Sequence, residues 1–250
     1  MLGRTSLPHD FAGAARDAAA PPTAVPERFE ASTFDESYFG AESNYNGRYD
    51  WYNPPHKIAG YLREILAVHA GGALLDVGCA FGRFLERARQ HYRCAGMDIS
   101  AYALEAARRR LPGIPLTQGR IEEFRTEARY DVVTCFDVLE HVPDLDLALR
   151  RLGDLLAPSG VLAIAVPVYD TPAGWAFGVL DRDATHVHRY GRGLWLTRLA
   201  AVGLRPVVFK GILRVPLPGG LFLHLISGLF RLFSSAIFVI AERADRPAAS

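Results

Sequence analysis

The sequence predicts an α/β fold in which a mostly parallel sheet is covered by helices on both faces. Short apolar runs alternate with helical patterns from Leu74 onward, the arrangement of strands joined by crossover helices. The first run passes through a turn with Gly78 and Gly82 directly into a helical pattern, as at the ligand-binding end of a doubly wound sheet. Half of the 250 residues are apolar, and 28 Lys and Arg offset 27 Asp and Glu, which suits one sizeable domain with its own core.

The elements follow in order. Residues 73–77 are the first strand, 83–91 a helix, 94–98 the second strand, 101–111 a helix, 114–117 a short third strand and 131–136 a buried fourth strand. Residues 145–156 place Leu145, Ala148, Leu149, Leu152 and Leu156 on one helical face. Pro158, Ser159 and Gly160 turn into a fifth strand at 161–166, and residues 167–189 show no clear period but gather Tyr169, Asp170, Trp175, Asp181, Asp183, His186 and His188, as a long functional loop does. Residues 191–202 are a helix stopped by Gly203, 206–210 the sixth strand and 236–240 the seventh. A helix at 55–68 with proline in its first turn precedes the sheet. Upstream of it lies an aromatic segment with Tyr38, Phe39, Tyr45, Tyr49, Trp51 and Tyr52, placed to act as a lid.

Residues 1–33, rich in Ala and Pro, are expected to be a disordered tail, 34–70 a lid and helix, 71–243 the main domain, and 244–250 a second tail. The near-neutral charge argues against a nucleic-acid partner. Residues 1–20 lack the apolar stretch of a signal peptide. Cys79, Cys94 and Cys135 make neither a disulfide framework nor a metal spacing, so a cytoplasmic location is expected.

The most specific stretch is Leu74-Leu75-Asp76-Val77-Gly78-Cys79-Ala80-Phe81-Gly82-Arg83. Small residues there let a backbone approach a ligand, with free N–H groups of the helix start expected to face it. The spacing Gly78-x-x-x-Gly82 is not the G-x-G-x-x-G of nicotinamide sites. Asp76 would repel a pyrophosphate but favours an ammonium or sulfonium.

This stretch resembles the first motif, D/E-x-G-x-G-x-G, of class I S-adenosylmethionine-dependent methyltransferases, with Ala80 standing where glycine is usual. Gly96-Met97-Asp98-Ile99-Ser100 resembles their second motif, whose acidic residue takes the ribose hydroxyls. In Gln118-Gly119-Arg120-Ile121-Glu122-Glu123, Arg120 occupies the position where the family has an acid on the adenine amine, leaving that contact to Ile121 packing or a backbone group. Phe136-Asp137-Val138-Leu139-Glu140-His141-Val142 and Leu156-Ala157-Pro158-Ser159-Gly160 resemble later motifs of bacterial small-molecule members.

The resemblance implies a Rossmann-like, doubly wound, seven-stranded sheet with its last strand antiparallel. It also implies S-adenosyl-L-methionine as cofactor, held by Asp76, Gly78, Cys79, Ala80, Gly82, Asp98, Ile99, Ile121, Phe136 and Asp137. The expected activity is methyl transfer to a small acceptor, first a hydroxyl of a sugar or similar metabolite. Alternatives are a quinone-type O-methyltransferase, an N-methyltransferase, or a non-catalytic cofactor-binding module, against which the intact Asp76, Gly78, Gly82 and Asp98 stand.

Asp137, Glu140 and His141 fall at i, i+3 and i+4 and could meet a divalent cation on one helical turn. The triplet resembles the acidic-x-x-Glu-His element of ubiquinone-type O-methyltransferases, to which a metal role is attached. The preferred alternative needs no metal: Asp137 orients donor or acceptor, and Glu140 and His141 fix the loop by hydrogen bonds. Asp183-Ala-Thr-His186-Val-His188 resembles the D-x-x-H element of glycan- and quinone-type members. His186 there is the candidate proton acceptor, with His188 and His141 as further catalytic candidates and a purely structural histidine as the alternative. Cys79 and Cys135 read as small buried apolar residues rather than nucleophiles.

Residues 212–235 read as a hydrophobic insertion. Within 221–233 only His224, Ser227, Gly228 and Arg231 interrupt the apolar run, at i, i+3, i+4 and i+7, which predicts a helix with one narrow polar stripe. At about 20 Å it would fall short of the roughly 30 Å bilayer core. It is expected to pack against the sheet edge or a second subunit, with peripheral membrane contact as the alternative.

Overall fold

A computed structural model describes residues 29–40, 49–181, 183–217 and 221–244. Its sheet has the order β3-β2-β1-β4-β5-β8-β6-β7. The parallel part comprises β1 (Ala73–Val77), β2 (Arg93–Asp98), β3 (Leu116–Gln118), β4 (Tyr130–Phe136) and β5 (Leu156–Pro167). The antiparallel part comprises β6 (Leu204–Leu217), β7 (Leu221–Ser227) and β8 (Ala236–Arg243), with β8 inserted between β5 and β6. The strand order reverses between β1 and β4, so their carboxyl ends open a crevice where such folds hold ligands.

Helices cover both faces. On one side α6 (Leu145–Asp154) and α8 (Arg192–Ala201) bury Leu149, Leu152, Trp195 and Leu199 against Val133, Ile164 and Val239. On the other, α3 (Pro55–Leu66), α4 (Arg83–Ala88) and α5 (Ala101–Arg110) bury Ile65, Leu85 and Leu104 against Leu74, Val132 and Phe238. Two short helical turns, α1 (Glu36–Phe39) and α2 (Tyr49–Tyr52), precede α3. No helix among the described residues is long and apolar enough to cross a membrane.

Three expectations are corrected. The sheet has eight strands, because the segment read as a helix over 221–233 is strand β7 followed by a 3-10 turn, Gly228–Leu232. Strand β6 runs on to Leu217, and its outer edge is paired from Gly211 with Ser227 to Leu217 with Leu221. A period of two then sorts the run: His224 is buried edge-on against Tyr61, while Leu225 faces outward. The apolar Leu229, Leu232 and Phe233 remain exposed beyond it. Secondly, the stretch after the fifth strand holds a helix, α7 (Pro172–Leu180), capped by the Thr171 hydroxyl accepting from Gly174 N at 2.8 Å. It is apolar on nearly every side, so no helical period marks it. Thirdly, residues 29–33 of the expected tail run into a 3-10 turn, Ala31–Phe34. Phe34 anchors it edge-on against Tyr38 and His141. Residues 1–28, Tyr45 and residues 245–250 lie outside the described residues.

Candidate functional site

A cavity of about 980 Å³ lies over the carboxyl ends of the parallel strands. Asp76, Gly78, Cys79, Ala80, Asp98, Ile99, Ile121, Phe136, Asp137, Glu140, His141 and His186 all line it. Two sequence candidates are not among its lining residues. Gly82 caps α4 in the left-handed conformation, φ +73°. His188 is buried behind the loop, its Nε2 2.8 Å from the Val142 carbonyl and its ring against Tyr190.

The glycine loop closes on itself rather than presenting free amides. Gly78 N and Cys79 N both donate to Met97 O, at 2.8 and 3.0 Å. Ala80 N donates to Asp98 Oδ2 at 2.8 Å. The expectation of N–H groups aimed at a ligand is thus corrected for these three residues, because the end of β2 absorbs them. Gly78, at φ +76°, could not carry a side chain, since a Cβ would sit 2.1 Å from Val138 Cγ2. Ala80 takes φ +43°, a left-handed conformation that costs an alanine roughly 1–2 kcal/mol, and its bond to the buried Asp98 offsets that.

Asp98 accepts from Ser100 N as well, at 2.8 Å through Oδ1, and burial raises its pKa. Asp76, one strand over, accepts from the Thr134 hydroxyl at 2.6 Å, and burial pushes its carboxyl up to about 7. These carboxylates, the Gly78 cradle and the apolar Ile99, Ile121 and Phe136 form one end of the cavity. With the amides of Gly78, Cys79 and Ala80 already bonded, two acids beside the glycine turn suit a cationic group there better than a pyrophosphate.

At the other end, the backbone carbonyl of Glu140 accepts from Val187 N and His188 N, at 2.9 and 3.2 Å, drawing the 183–188 loop over the end of β4. His186 Nδ1 lies 2.7 Å from Asp181 Oδ2, and the Tyr169 hydroxyl donates to the same oxygen at 2.8 Å. Burial opposes the charged imidazole, yet the Asp181 bond with Glu140 and Asp183 leaves the His186 pKa raised. His141 Nδ1 lies 2.8 Å from the Thr185 hydroxyl, and burial lowers its pKa to about 4. Glu140 is 2% exposed, with no partner for Oε2; burial, then the Asp137 charge, pushes its carboxyl up to about 8. Glu140, His141 and His186 each offer a ligand atom within 4.8 Å of the others, so a divalent cation could be held there.

Asp137 stands apart from that set. It accepts from Lys57 Nζ at 2.9 Å and from Arg214 Nη2 at 2.6 Å, and it takes φ +55°. Burial alone would raise its pKa, but Arg214 and Lys57 hold it well below the usual carboxylate range. The sequence reading missed Lys57 and Arg214, and named Asp181 without giving it a role. Only Asp181 left a signal, as one polar residue in a stretch rich in them. Lys57 is one cation in the first turn of a helix, and Arg214 belongs to a strand read as too short.

The family model for the methyltransferase domain matches residues 51–208. The chain is 38% identical over 120 residues to a ubiquinone biosynthesis O-methyltransferase of Proteus mirabilis, covering 44% of this chain and 49% of that protein. It is also 38% identical over 97 residues to a dTDP-4-amino-2,3,4,6-tetradeoxy-D-glucose N,N-dimethyltransferase of Saccharopolyspora spinosa, covering 37% and 39%. The chain thus spans about half the length, or less, of these curated relatives. Among solved structures, the N-methyltransferase NodS of Bradyrhizobium japonicum, in complex with S-adenosyl-L-homocysteine, shares the fold. Its TM-score is 0.55 at 19% identity, covering 76% of this chain and 87% of that one.

Replacing Asp137 with alanine leaves Lys57 and Arg214 as buried, uncompensated cations. Urea denaturation is expected to show a loss of about 3–5 kcal/mol at neutral pH, with Asp137→Asn losing less. Because the folded pKa is depressed, the gap between wild type and Asp137→Ala closes as pH falls below about 4, where the wild-type carboxyl is protonated in the unfolded chain and then in the folded one.

Proposed function

The chain belongs to the methyltransferase domain family, and on that premise we propose that it is an S-adenosyl-L-methionine-dependent methyltransferase acting on a hydroxyl of a small polar metabolite such as a sugar. One observation carries the reading: a single cavity joins the Asp98 and Gly78 end to the Asp181-held His186. The donor set fits the cofactor. Asp98 keeps lone pairs beyond its two backbone bonds for a ribose diol, Asp76 sits where a cationic tail is favoured, and Gly78 lines the cavity as bare backbone, with Val138 packed where a Cβ would stand.

When bound, the cofactor supplies an activated methyl on a sulfonium. The tasks left to the chain are alignment, exclusion of water and removal of a proton. Tyr38, Phe39, Tyr49 and Tyr52 line the cavity from the N-terminal side and exclude water. His186 takes the acceptor's hydroxyl proton as the oxygen gains the methyl, and Asp181 holds the resulting imidazolium. His188 and His141 keep the loop in place. The amine-acting relative supports a second reading, an amine acceptor, through the unpartnered Oε2 of Glu140. Incubation with S-adenosylmethionine and a panel of hydroxyl- and amine-bearing sugars and catechols, followed by mass spectrometry, decides between them by which class gains a methyl. Failure to bind S-adenosylhomocysteine overturns both.

In calorimetry Asp98→Ala is expected to weaken S-adenosylhomocysteine binding by roughly 1.5–3 kcal/mol through the lost charged hydrogen bonds; unchanged affinity assigns Asp98 to loop closure alone.

A cationic ligand favours ionised Asp76, whose carboxyl in the free protein holds its proton up to about pH 7. S-adenosylmethionine affinity is therefore expected to rise with pH, level off above about 7, and lose that slope in Asp76→Asn. A pH-independent wild type removes Asp76 from the binding site.

Turnover of His186→Ala is expected to fall roughly a hundredfold or more, with cofactor affinity unchanged and the same ratio to wild type in the presence of a chelator. Abolition of wild-type activity by the chelator, restored by Mg²⁺, gives Glu140, His141 and His186 a metal-binding role instead.

A further inference from the structure

The base end of the cavity departs from the acidic pattern the resemblance leads one to expect. Strand β3 pairs Gln118 with Asp98, and Gly119 N donates to Asp98 O at 3.0 Å. The chain therefore leaves the sheet alongside the carboxylate assigned to the ribose, and the next residue is Arg120. Its side chain lines the cavity, and its Nη2 is buried without a hydrogen-bond partner. Ile121 beneath it is buried, and Ile99 lines the same wall. An unsatisfied buried donor is costly until something accepts from it. The ligand that reaches this point beyond a ribose is the cofactor's purine.

A guanidinium has five N–H donors and no acceptor. A carboxylate at this position would accept from the six-amino group of adenine and so reject a six-oxo ring. Arg120 cannot accept from that amine. It can donate to the ring nitrogens that both purines share, or stack on a purine face, where the six-substituent matters little. Beside a six-oxo purine it has a bidentate partner in O6 and N7, the pairing by which arginine reads guanine.

Resting on the reading of the site as an S-adenosylmethionine pocket, we propose that Arg120 makes the base subsite a donor site. The cofactor's purine is held there through its ring acceptors or its face, and a six-oxo purine is accepted as readily as the six-amino one. Glu122 lines the same end of the cavity and is a carboxylate that could restore amine recognition.

The test is a calorimetric comparison of S-adenosylhomocysteine with S-inosylhomocysteine, its six-oxo counterpart. Wild type is expected to bind the two within about threefold, and Arg120→Glu to prefer the adenine form by about tenfold or more, the usual discrimination from one charged hydrogen bond. A wild type that binds S-adenosylhomocysteine but takes the inosine form tenfold more weakly overturns the proposal. If Glu122→Gln then abolishes that preference, Glu122 is the reader. Binding of neither compound brings down the cofactor reading itself, and this inference with it.

Discussion

The Asp98 carboxylate is bonded by one oxygen to the amide of Ala80 and by the other to the amide of Ser100. It thereby ties the turn after β1 to the turn after β2. Without it, Ala80 would have no partner to hold it at a positive φ, and the loop that also gives two amides to Met97 O would open. The same carboxylate borders the cavity, so the group that closes the loop also faces that space. The width of the cofactor end is set by backbone-anchored bonds between adjacent parallel strands, which move little because the sheet is buried on both faces.

The acceptor end is built differently. Its anchor is the Glu140 carbonyl, which takes the amides of Val187 and His188 and pulls in a loop from the far side of β5. From there side chains do the joining. Tyr169 and His186 share the Asp181 carboxylate; His141 and Asp183 share the Thr185 hydroxyl; and Lys57 and Arg214 share Asp137 across α3 and β6. The His141–Thr185, Lys57–Asp137 and Arg214–Asp137 bonds join segments 44, 80 and 77 residues apart, while those at Asp181 and Asp183 tie the stretch from Tyr169 to His186 to itself.

That contrast explains what could be read from the chain. The parallel strands, the glycine turn and the acids at the strand ends were legible because local chemistry fixes them: a buried strand must be apolar, a tight turn needs small residues, and an acid at a strand end stands among the amides of the turns beside it. Strand β7 was misread because an apolar run carries no period of its own; its partner, the extension of β6 to Leu217, selects strand over helix. Helix α7 was hidden for a related reason, since a short helix surrounded by apolar neighbours shows no stripe. Lys57 and Arg214 were invisible because their role exists only where α3 and β6 meet over Asp137. The position of His188 was not legible. The residue has the chemistry of its neighbour His186 but faces the Val142 carbonyl, and spacing along an irregular loop does not say which of two histidines points inward.

The charges around the cavity follow from the same division. Where backbone amides already satisfy a carboxylate, as at Asp98, that carboxylate needs no cation and remains available to neutral hydroxyls. Where a carboxylate has only side chains to answer it, burial demands full compensation, and Asp137 receives two cations. At Glu140 burial and the neighbouring Asp137 charge outweigh the help it gets from its own amide, His186 and Arg214, so its carboxyl is driven toward the protonated form. The acceptor end therefore holds, side by side, an anion locked in the ionised state, a carboxyl that keeps its proton, and an imidazole steadied by Asp181. A hydroxyl, which both donates and accepts, can be satisfied by such neighbours in either direction. An amine that arrives as an ammonium must lose a proton before its nitrogen can take a methyl, and it would find Glu140 already protonated, whereas a hydroxyl arrives neutral; on that asymmetry the hydroxyl is set ahead of the amine.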